Sequence, residues 1–267
     1  MLVLIKGAGD LASGIALRLH HARFDVVMTD IAYPTAVRRT VAFCQAIIDG
    51  KTMVEDITAV LAKNTKEIKS ALDQKMIPVL VDPDARMVQE LTPEILVDAI
   101  MAKKNLGTKI NDAPVVIAIG PGFTAGADCY AVIETKRGHT LGRVITASDS
   151  EPNAIPNTGI PGDINGFTTE RLIRAPADGV FEGKVNIGDR VQKGDLVGMT
   201  AGRPVRAEID GIVRGLLPSG IPVTAGMKSG DIDPRCEKFH CFTVSDKALS
   251  IAGGVLEAIL RFHKPRE

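Results

Sequence analysis

The segment Gly7-Ala8-Gly9-Asp10-Leu11-Ala12 follows an all-apolar run, Leu2 to Ile5, and opens an amphipathic stretch; Asp30 closes the next apolar run, 23 residues after Gly7. Glycines at such a junction let backbone N–H groups approach a pyrophosphate at a helix N-terminus, and a carboxylate ending the following strand accepts ribose hydroxyls. Ala12 stands where a third glycine is usual, a replacement the pattern tolerates. Strand context and spacing together favour a bound phosphate over a merely tight turn. Gly7, Gly9, Asp10, Ala12 and Asp30 are therefore the first cofactor-binding candidates. Asp10 is discordant: as a helix-capping residue it is ordinary, but its charge repels a phosphate.

A second group lies further along. Asp82 follows the run Ile77 to Val81, and Gly120 and Gly122 lie in the loop Gly120 to Gly126 that follows Val115 to Ile119. If these runs share one parallel sheet with the first two, their carboxyl ends form a single rim, where open α/β sheets bind ligands. Site and plain turn remain equally open for Asp82, Gly120 and Gly122. Arg38 and Arg39 carry planar donor forks suited to phosphate or carboxylate, although an exposed basic pair is the ordinary reading. Cys236, His240 and Cys241 fall within six residues, but no second pair of metal ligands follows, so partly buried thiols are expected and no metal site. No Ser/His/Asp set is identifiable, because His20, His21, His139 and His263 lack nucleophile contexts. No catalytic acid, base or nucleophile is assigned.

The elements that must position these residues read as alternating strand and helix. Leu2 to Ile5, Val26 to Met28, Ile77 to Val81 and Val115 to Ile119 have the continuous apolar character of buried parallel strands. Leu11, Ile15, Leu17, Leu19 and Ala22 predict a helix between the first two. Ile68 and Leu72 predict another, capped by Asn64 with Glu67 reaching back, and Pro93 opens one more through Lys103. Lys63, Lys66 and Lys69 fit a solvated helix face. After Cys129 the pattern turns strand-like, with Tyr130 to Thr135 and Leu141 to Ile145. The Pro- and Gly-rich stretch from Ser148 to Gly166 is long enough to cover a site or join domains. Ser245 caps a final helix running to about Phe262, with Leu249, Ala252, Leu256 and Ile259 as its buried stripe. Gly253-Gly254 within that helix predicts close approach of another backbone.

The stretch Ala175-Pro176-Ala177-Asp178-Gly179-Val180-Phe181-Glu182-Gly183 is echoed 32 positions later by Ala207-Glu208-Ile209-Asp210-Gly211-Ile212-Val213-Arg214-Gly215, and Gly188, Val191 and Gly194 match Gly220, Val223 and Gly226. Glycine-punctuated strands duplicated once predict a small two-fold β module. The pattern resembles the biotinyl/lipoyl-type barrel-sandwich fold. The tip that carries a modifiable lysine in those carriers here reads Met199-Thr200-Ala201-Gly202-Arg203-Pro204, so the resemblance implies the fold and not the carrier role.

The expected fold is thus α/β, a Rossmann-like parallel-sheet N-terminal domain with a C-terminal β-rich barrel-sandwich module and a terminal helix. The boundaries read 1–127 for the nucleotide-binding domain, 128–172 for a β/loop connection, 173–244 for the module and 245–267 for the helix. With 32 basic and 32 acidic side chains, the 267-residue chain has no net charge and no long-range field to draw a polyanion. Nucleic acid and anionic membrane are therefore not expected partners. No apolar run approaches the roughly 20 residues of a membrane span, and Met1 to Ile5 lead into Lys6 and glycine, not into a signal-peptide core. A cytoplasmic protein with four reduced cysteines is expected, with homo-oligomerisation left open.

Several longer motifs extend the reading. Ile5 to Gly14, Arg137-Gly138-His139-Thr140-Leu141-Gly142-Arg143-Val144-Ile145, Pro156 to Gly159, Gly230-Asp231-Ile232-Asp233-Pro234-Arg235, and Ser245-Asp246-Lys247 with Gly253 to Ala258 are similar to the YqeB-type accessory proteins of the selenium-dependent molybdenum hydroxylase system. That family is loosely akin to chaperones that mature xanthine dehydrogenase. The resemblance implies maturation of a molybdenum hydroxylase, with the apo-enzyme as partner and a nucleotide-type small molecule as ligand. Molybdopterin dinucleotide and NAD are the candidate cofactors, since each contains a pyrophosphate and a ribose. The resemblance carries no established catalytic residues. An NAD-dependent oxidoreductase and a non-catalytic scaffold are the alternative functions.

Overall fold

A computed structural model describes residues 1–263. The strands are β1 (Leu2–Lys6), β2 (Asp25–Asp30), β3 (Lys51–Val54), β4 (Ile57–Leu61), β5 (Ile77–Val81), β6 (Ile95–Asp98), β7 (Val115–Ile119), β8 (Ala131–Ile133) and β9 (Val144–Thr146). They form one sheet in the order β3-β4-β5-β2-β1-β6-β7-β8-β9. The seven strands from β4 to β8 in that order run parallel, whereas β3 and β9 run antiparallel to their neighbours at the two edges. The central strands are apolar throughout and buried on both faces, the pattern of a covered parallel sheet.

The helices of this part are α1 (Asp10–His21), α2 (Gln45–Asp49), α3 (Thr65–Asp73), α4 (Val88–Leu91) and α5 (Asp246–Phe262). Helix α3 starts as its sequence predicts. Asn64 accepts from the Glu67 amide at 3.0 Å, and Glu67 reaches back to the Lys63 amide at 2.9 Å. Lys66 and Lys69 are exposed on it, and Lys63 is exposed just before its cap. Ser245 caps α5, accepting from the Ala248 amide at 3.3 Å, and α5 packs along α1. The buried stripe of α5 is Ala248, Ile251, Ala252, Val255, Ala258 and Ile259, whereas Leu249 is exposed. The helix is thus rotated from the expected stripe. At Gly254 a Cβ would run into the Gly142 carbonyl oxygen and lie 2.9 Å from Ile133 Cγ2; at Gly253 it would meet nothing.

Residues 1–34, 43–158 and 244–263 form one compact unit, and 35–42 with 159–243 form a second. The second holds β10 (Leu172–Arg174), β11 (Gly179–Gly183), β12 (Arg190–Val191), β13 (Leu196–Thr200), β14 (Arg203–Arg206), β15 (Gly211–Leu216), β16 (Pro222–Val223) and β17 (Lys228–Asp233). They make two four-stranded antiparallel sheets, β10-β17-β15-β12 and β14-β13-β11-β16. The sequence echo appears as an exchange: β11 of the first half pairs with β16 of the second, and β15 of the second pairs with β12 of the first. Phe181, Val197, Val213, Leu216 and Ile232 lie at the centre of the shared core.

The fold expectation is corrected by this topology. A Rossmann-like parallel domain followed by a barrel-sandwich module and a separate terminal helix does not describe the chain. The large sheet is mixed and nine-stranded, and it draws β8 and β9 from beyond residue 127. The second unit consists of two half-barrel sheets and takes in residues 35–42, and α5 belongs to the first unit. Two local misreadings contributed. The β3–β4 hairpin closes on a two-residue turn with Glu55 at φ 53°, with no glycine to announce it. Residues 95–98, expected in a helix from Pro93 to Lys103, form β6 instead, because between β1 and β7 the run Ile95-Leu96-Val97 is buried on both faces. Among the described residues no helix is long and apolar enough to cross a membrane.

Candidate functional site

The β1–α1 junction is held from below by its own side chains. Gly7 takes φ 93°, and a Cβ there would lie 2.9 Å from the Ala99 carbonyl oxygen, so the turn needs glycine for backbone passage. Its amide donates to the Thr29 carbonyl at 2.8 Å. The Ala8 amide donates to Asp30 Oδ2 at 2.8 Å, and the other Asp30 oxygen accepts from the Ile31 amide at 2.8 Å. The Ala8 carbonyl accepts from the Cys44 amide at 2.9 Å and from Ser13 Oγ at 3.2 Å, and Ser13 Oγ accepts from the Phe43 amide at 2.7 Å. Gly7 and Ala8 are buried; Gly9, Asp10 and Leu11 are half-buried and end the junction toward solvent. Gly9 caps α1 with extended backbone and no side chain to satisfy the first-turn amides, which have no partner within a helix.

Asp30 is therefore the clamp of the junction as well as a candidate ribose acceptor. Burial pushes its carboxyl up, and the amides of Ile31 and Ala8 pull it back. Each of its oxygens has a second lone pair for a hydroxyl donor. Cys44 is buried beside it; burial raises its thiol well above the ordinary range, with the charges of Asp30 and Asp10 adding to the effect. It offers no thiolate nucleophile. Lys247, at the start of α5, is half-buried: burial lowers its pKa, and the Asp10 carboxylate is the strongest influence raising it.

Sequence reasoning missed two further groups at this end of the sheet. Lys6, buried at the end of β1, donates from Nζ to Thr108 Oγ1 at 2.6 Å; Thr108 donates to Asp98 Oδ2 at 2.6 Å, and Lys6 Nζ lies 3.6 Å from the same oxygen. Glu134, after β8, is also buried and accepts from the amides of Thr135, Lys136 and Ile155. Lys6 directly follows the apolar run Leu2 to Ile5, a signal that the sequence alone carried. Asp98 and Glu134 became readable only once β6 and β8 were placed.

The remaining candidates sort by position. Because β5, β2, β1, β6 and β7 are consecutive and parallel, Asp82, Asp30, Gly7 and Gly120 do lie at one edge of the sheet. Asp82 is occupied locally: its amide donates to the Asp30 carbonyl at 3.0 Å, and its Oδ2 accepts from the Met87 amide at 2.9 Å. At Gly120 a Cβ would meet Thr135 Oγ1 at 2.8 Å, which is a packing reason for glycine. Gly122 approaches the Lys104 backbone and lines a cleft of about 950 Å³ with Lys103, Pro121, Ser150, Asn153 and Asn157. Ala12 is buried in the first turn of α1. Among the described residues no group of three His, Cys, Asp or Glu side chains is placed to hold a metal.

The arrangement joins a helix N-terminus with half-buried amides to a fixed carboxylate. Over 259 residues, 97% of its length, the chain is 52% identical to a protein of Escherichia coli (strain K12) described as "Uncharacterized protein YqeB". The chain is thus similar in sequence to that protein, and it spans about half, 47%, of that relative's length. No protein-family model matches the chain. Similar solved structures include an aspartoacylase family protein of Mesorhizobium loti, 14% identical, covering 86% of this chain and 84% of that one at a TM-score of 0.29. A succinylglutamate desuccinylase/aspartoacylase of Rhodobacter sphaeroides is 16% identical with the same coverages and a TM-score of 0.27. The likeness is remote at these scores.

Proposed function

We propose that the chain binds a pyrophosphate-containing nucleotide, the dinucleotide form of the molybdenum cofactor, at the β1–α1 junction, and serves as an accessory protein passing it to a molybdenum hydroxylase apo-enzyme. The observation that carries this reading is the clamp: Asp30 is pinned between the Ala8 and Ile31 amides beside the first turn of α1. The pyrophosphate meets the amides of Gly9 to Ala12, where the helix dipole favours an anion. Asp30 takes a ribose hydroxyl on its second lone pairs, and Lys247 offsets the charge that Asp10 would otherwise turn on the phosphate. The similarity of the longer motifs to YqeB-type accessory proteins supports the choice of cargo.

Isothermal titration with molybdopterin dinucleotide is expected to give a dissociation constant in the micromolar range, with Lys247→Ala weakening it about tenfold. A strain lacking the gene should make less active hydroxylase. The reading is overturned if no molybdopterin species binds and the deletion strain still makes fully active hydroxylase. Micromolar NADH binding with turnover of a carbonyl substrate would replace it by an oxidoreductase.

A further inference from the structure

The edge of the large sheet opposite the β1–α1 junction carries a cavity of about 290 Å³. Strands β2, β4 and β5 run parallel, so their first residues, Asp25, Ile57 and Ile77, lie together at the edge away from Gly7 and Asp30. The cavity sits there, lined by residues from the ends of α1 and α3.

Both helices close in the same way. After α1 the Phe24 amide donates to the Leu19 carbonyl and the Arg23 amide to the His20 carbonyl, at 3.0 Å each; after α3 the Met76 amide donates to the Ala71 carbonyl and the Lys75 amide to the Leu72 carbonyl, at 2.9 Å each. These are two Schellman closures, whose left-handed residue is commonly glycine because a Cβ is strained there. Here the left-handed residues are Arg23, at φ 69°, and Lys75, at φ 58°. Each closure thus sets a basic residue at a glycine position and an apolar one, Phe24 or Met76, directly after it, and all four line the same cavity. The walls are also tied across: His20 Nε2 donates to the Lys75 carbonyl at 3.0 Å, and His21 Nε2 lies 3.2 and 3.1 Å from the two carboxylate oxygens of Asp56 in the β3–β4 turn.

The lining has two characters. Val26, Ile57 and Leu72 join Phe24 and Met76 in an apolar surface. Arg23 and Lys75 bring two cations against the one carboxylate of Asp25, and among the described residues neither cation has a side-chain hydrogen bond or an ion pair. Basic residues also suit helix C-termini through the dipole, but that role requires neither a cavity nor side chains at glycine positions. A preformed apolar pocket with a surplus cation matches a ligand that has an apolar body and a carboxylate. At roughly 30 Å³ per water-sized group, the volume suits a body of about ten non-hydrogen atoms.

We infer that this cavity binds a small apolar carboxylate of the arylacetate kind, with Arg23 and Lys75 holding the carboxylate and Phe24, Leu72 and Met76 covering the body. The site is independent of the one proposed at the β1–α1 junction.

The test is isothermal titration of the full chain with phenylacetate, acetate and phenethylamine at constant ionic strength, on wild type, Arg23→Gly and Lys75→Gly, with urea unfolding of each in the absence of ligand. Phenylacetate is expected to bind saturably with a dissociation constant below about 5 mM, and acetate, which lacks the body, and phenethylamine, which reverses the charge, at least about tenfold more weakly. Each glycine variant should bind phenylacetate at least about fivefold more weakly and yet be no less stable to urea than wild type, since glycine takes these φ values without strain. Basic residues kept for the helix dipole alone predict the reverse, lost stability with unchanged titrations. If a glycine variant does not fold, Arg23→Gln and Lys75→Gln carry the same expected loss of affinity. No saturable phenylacetate binding in this range, equal binding of acetate or phenethylamine, or unchanged affinity in the variants overturns the site.

Discussion

Adjacent glycines in α5 make opposite predictions. Replacing glycine by alanine inside a helix ordinarily stabilises by about 1 kcal/mol through propensity alone. At Gly253 a Cβ meets nothing, so Gly253→Ala should gain about 0.5–1 kcal/mol. At Gly254 the same methyl runs into the Gly142 carbonyl oxygen and lies 2.9 Å from Ile133 Cγ2. The oxygen belongs to backbone and cannot rotate away. The helix must therefore lift off the sheet, losing contact at buried Val255 and Ala258. Overpacking of this kind costs about 1–3 kcal/mol and exceeds the propensity gain. The two variants should thus differ by about 2–4 kcal/mol, with opposite signs against wild type. Urea unfolding followed by circular dichroism reads both, and at about 2–4 °C per kcal/mol the melting temperatures should separate by several degrees. Equal shifts in the two variants would refute the packing of α5.

Three further outcomes follow from the structure. Cys44 and Cys241 are buried with raised thiol pKa values, and burial, with the charge of Asp128, pushes Cys129 to about 12, so Ellman's reagent should modify no more than Cys236 in the native protein and all four thiols in guanidinium. Asp233→Asn should cost about 3 kcal/mol in urea, because it strips the carboxylate from buried Arg214 and from Arg235. Burial pushes the Asp233 carboxyl up, but the Arg235 bonds outweigh it and hold the folded value below 3.8. Its contribution is therefore present above pH 3.8 and lost as pH falls through the folded value, an acid-limb loss that Asp233→Asn should lack.

Much of the scaffold was legible because local chemistry and tertiary structure agree. β1, β2, β5 and β7 lie where the apolar runs stand, α3 and α5 start at their predicted caps, Asn64 and Ser245, and Gly254 meets the backbone that its presence in a helix implied. The failures share a cause: they depend on what a segment packs against. β6 read as helix because its apolar run carries no period that separates a doubly buried strand from a helix. Leu249 was placed in the core because the stripe of α5 is set by the small residues facing α1 and the sheet. Arg38 looked solvated because residues 35–42 join the second unit through β15 and the carbonyls of residues 240–243, far along the chain.

The candidate site was half legible. Gly7, Gly9 and Asp30 announced the junction, but the sequence assigned Asp30 one task, and the structure gives it the structural clamp on Ala8 as well. Lys247 and Lys6 reach the same end of the sheet from 241 residues apart, and no local pattern links them.

Hydrogen exchange of the amides from Gly9 to Ala12, measured with and without saturating molybdopterin dinucleotide, probes the junction at the atoms that matter. Slowed exchange confined to the first turn of α1 and to the Asp30–Ile31 segment is the expected result. Unchanged exchange there, with or without protection in another part of the chain, would contradict a pyrophosphate bound at this helix.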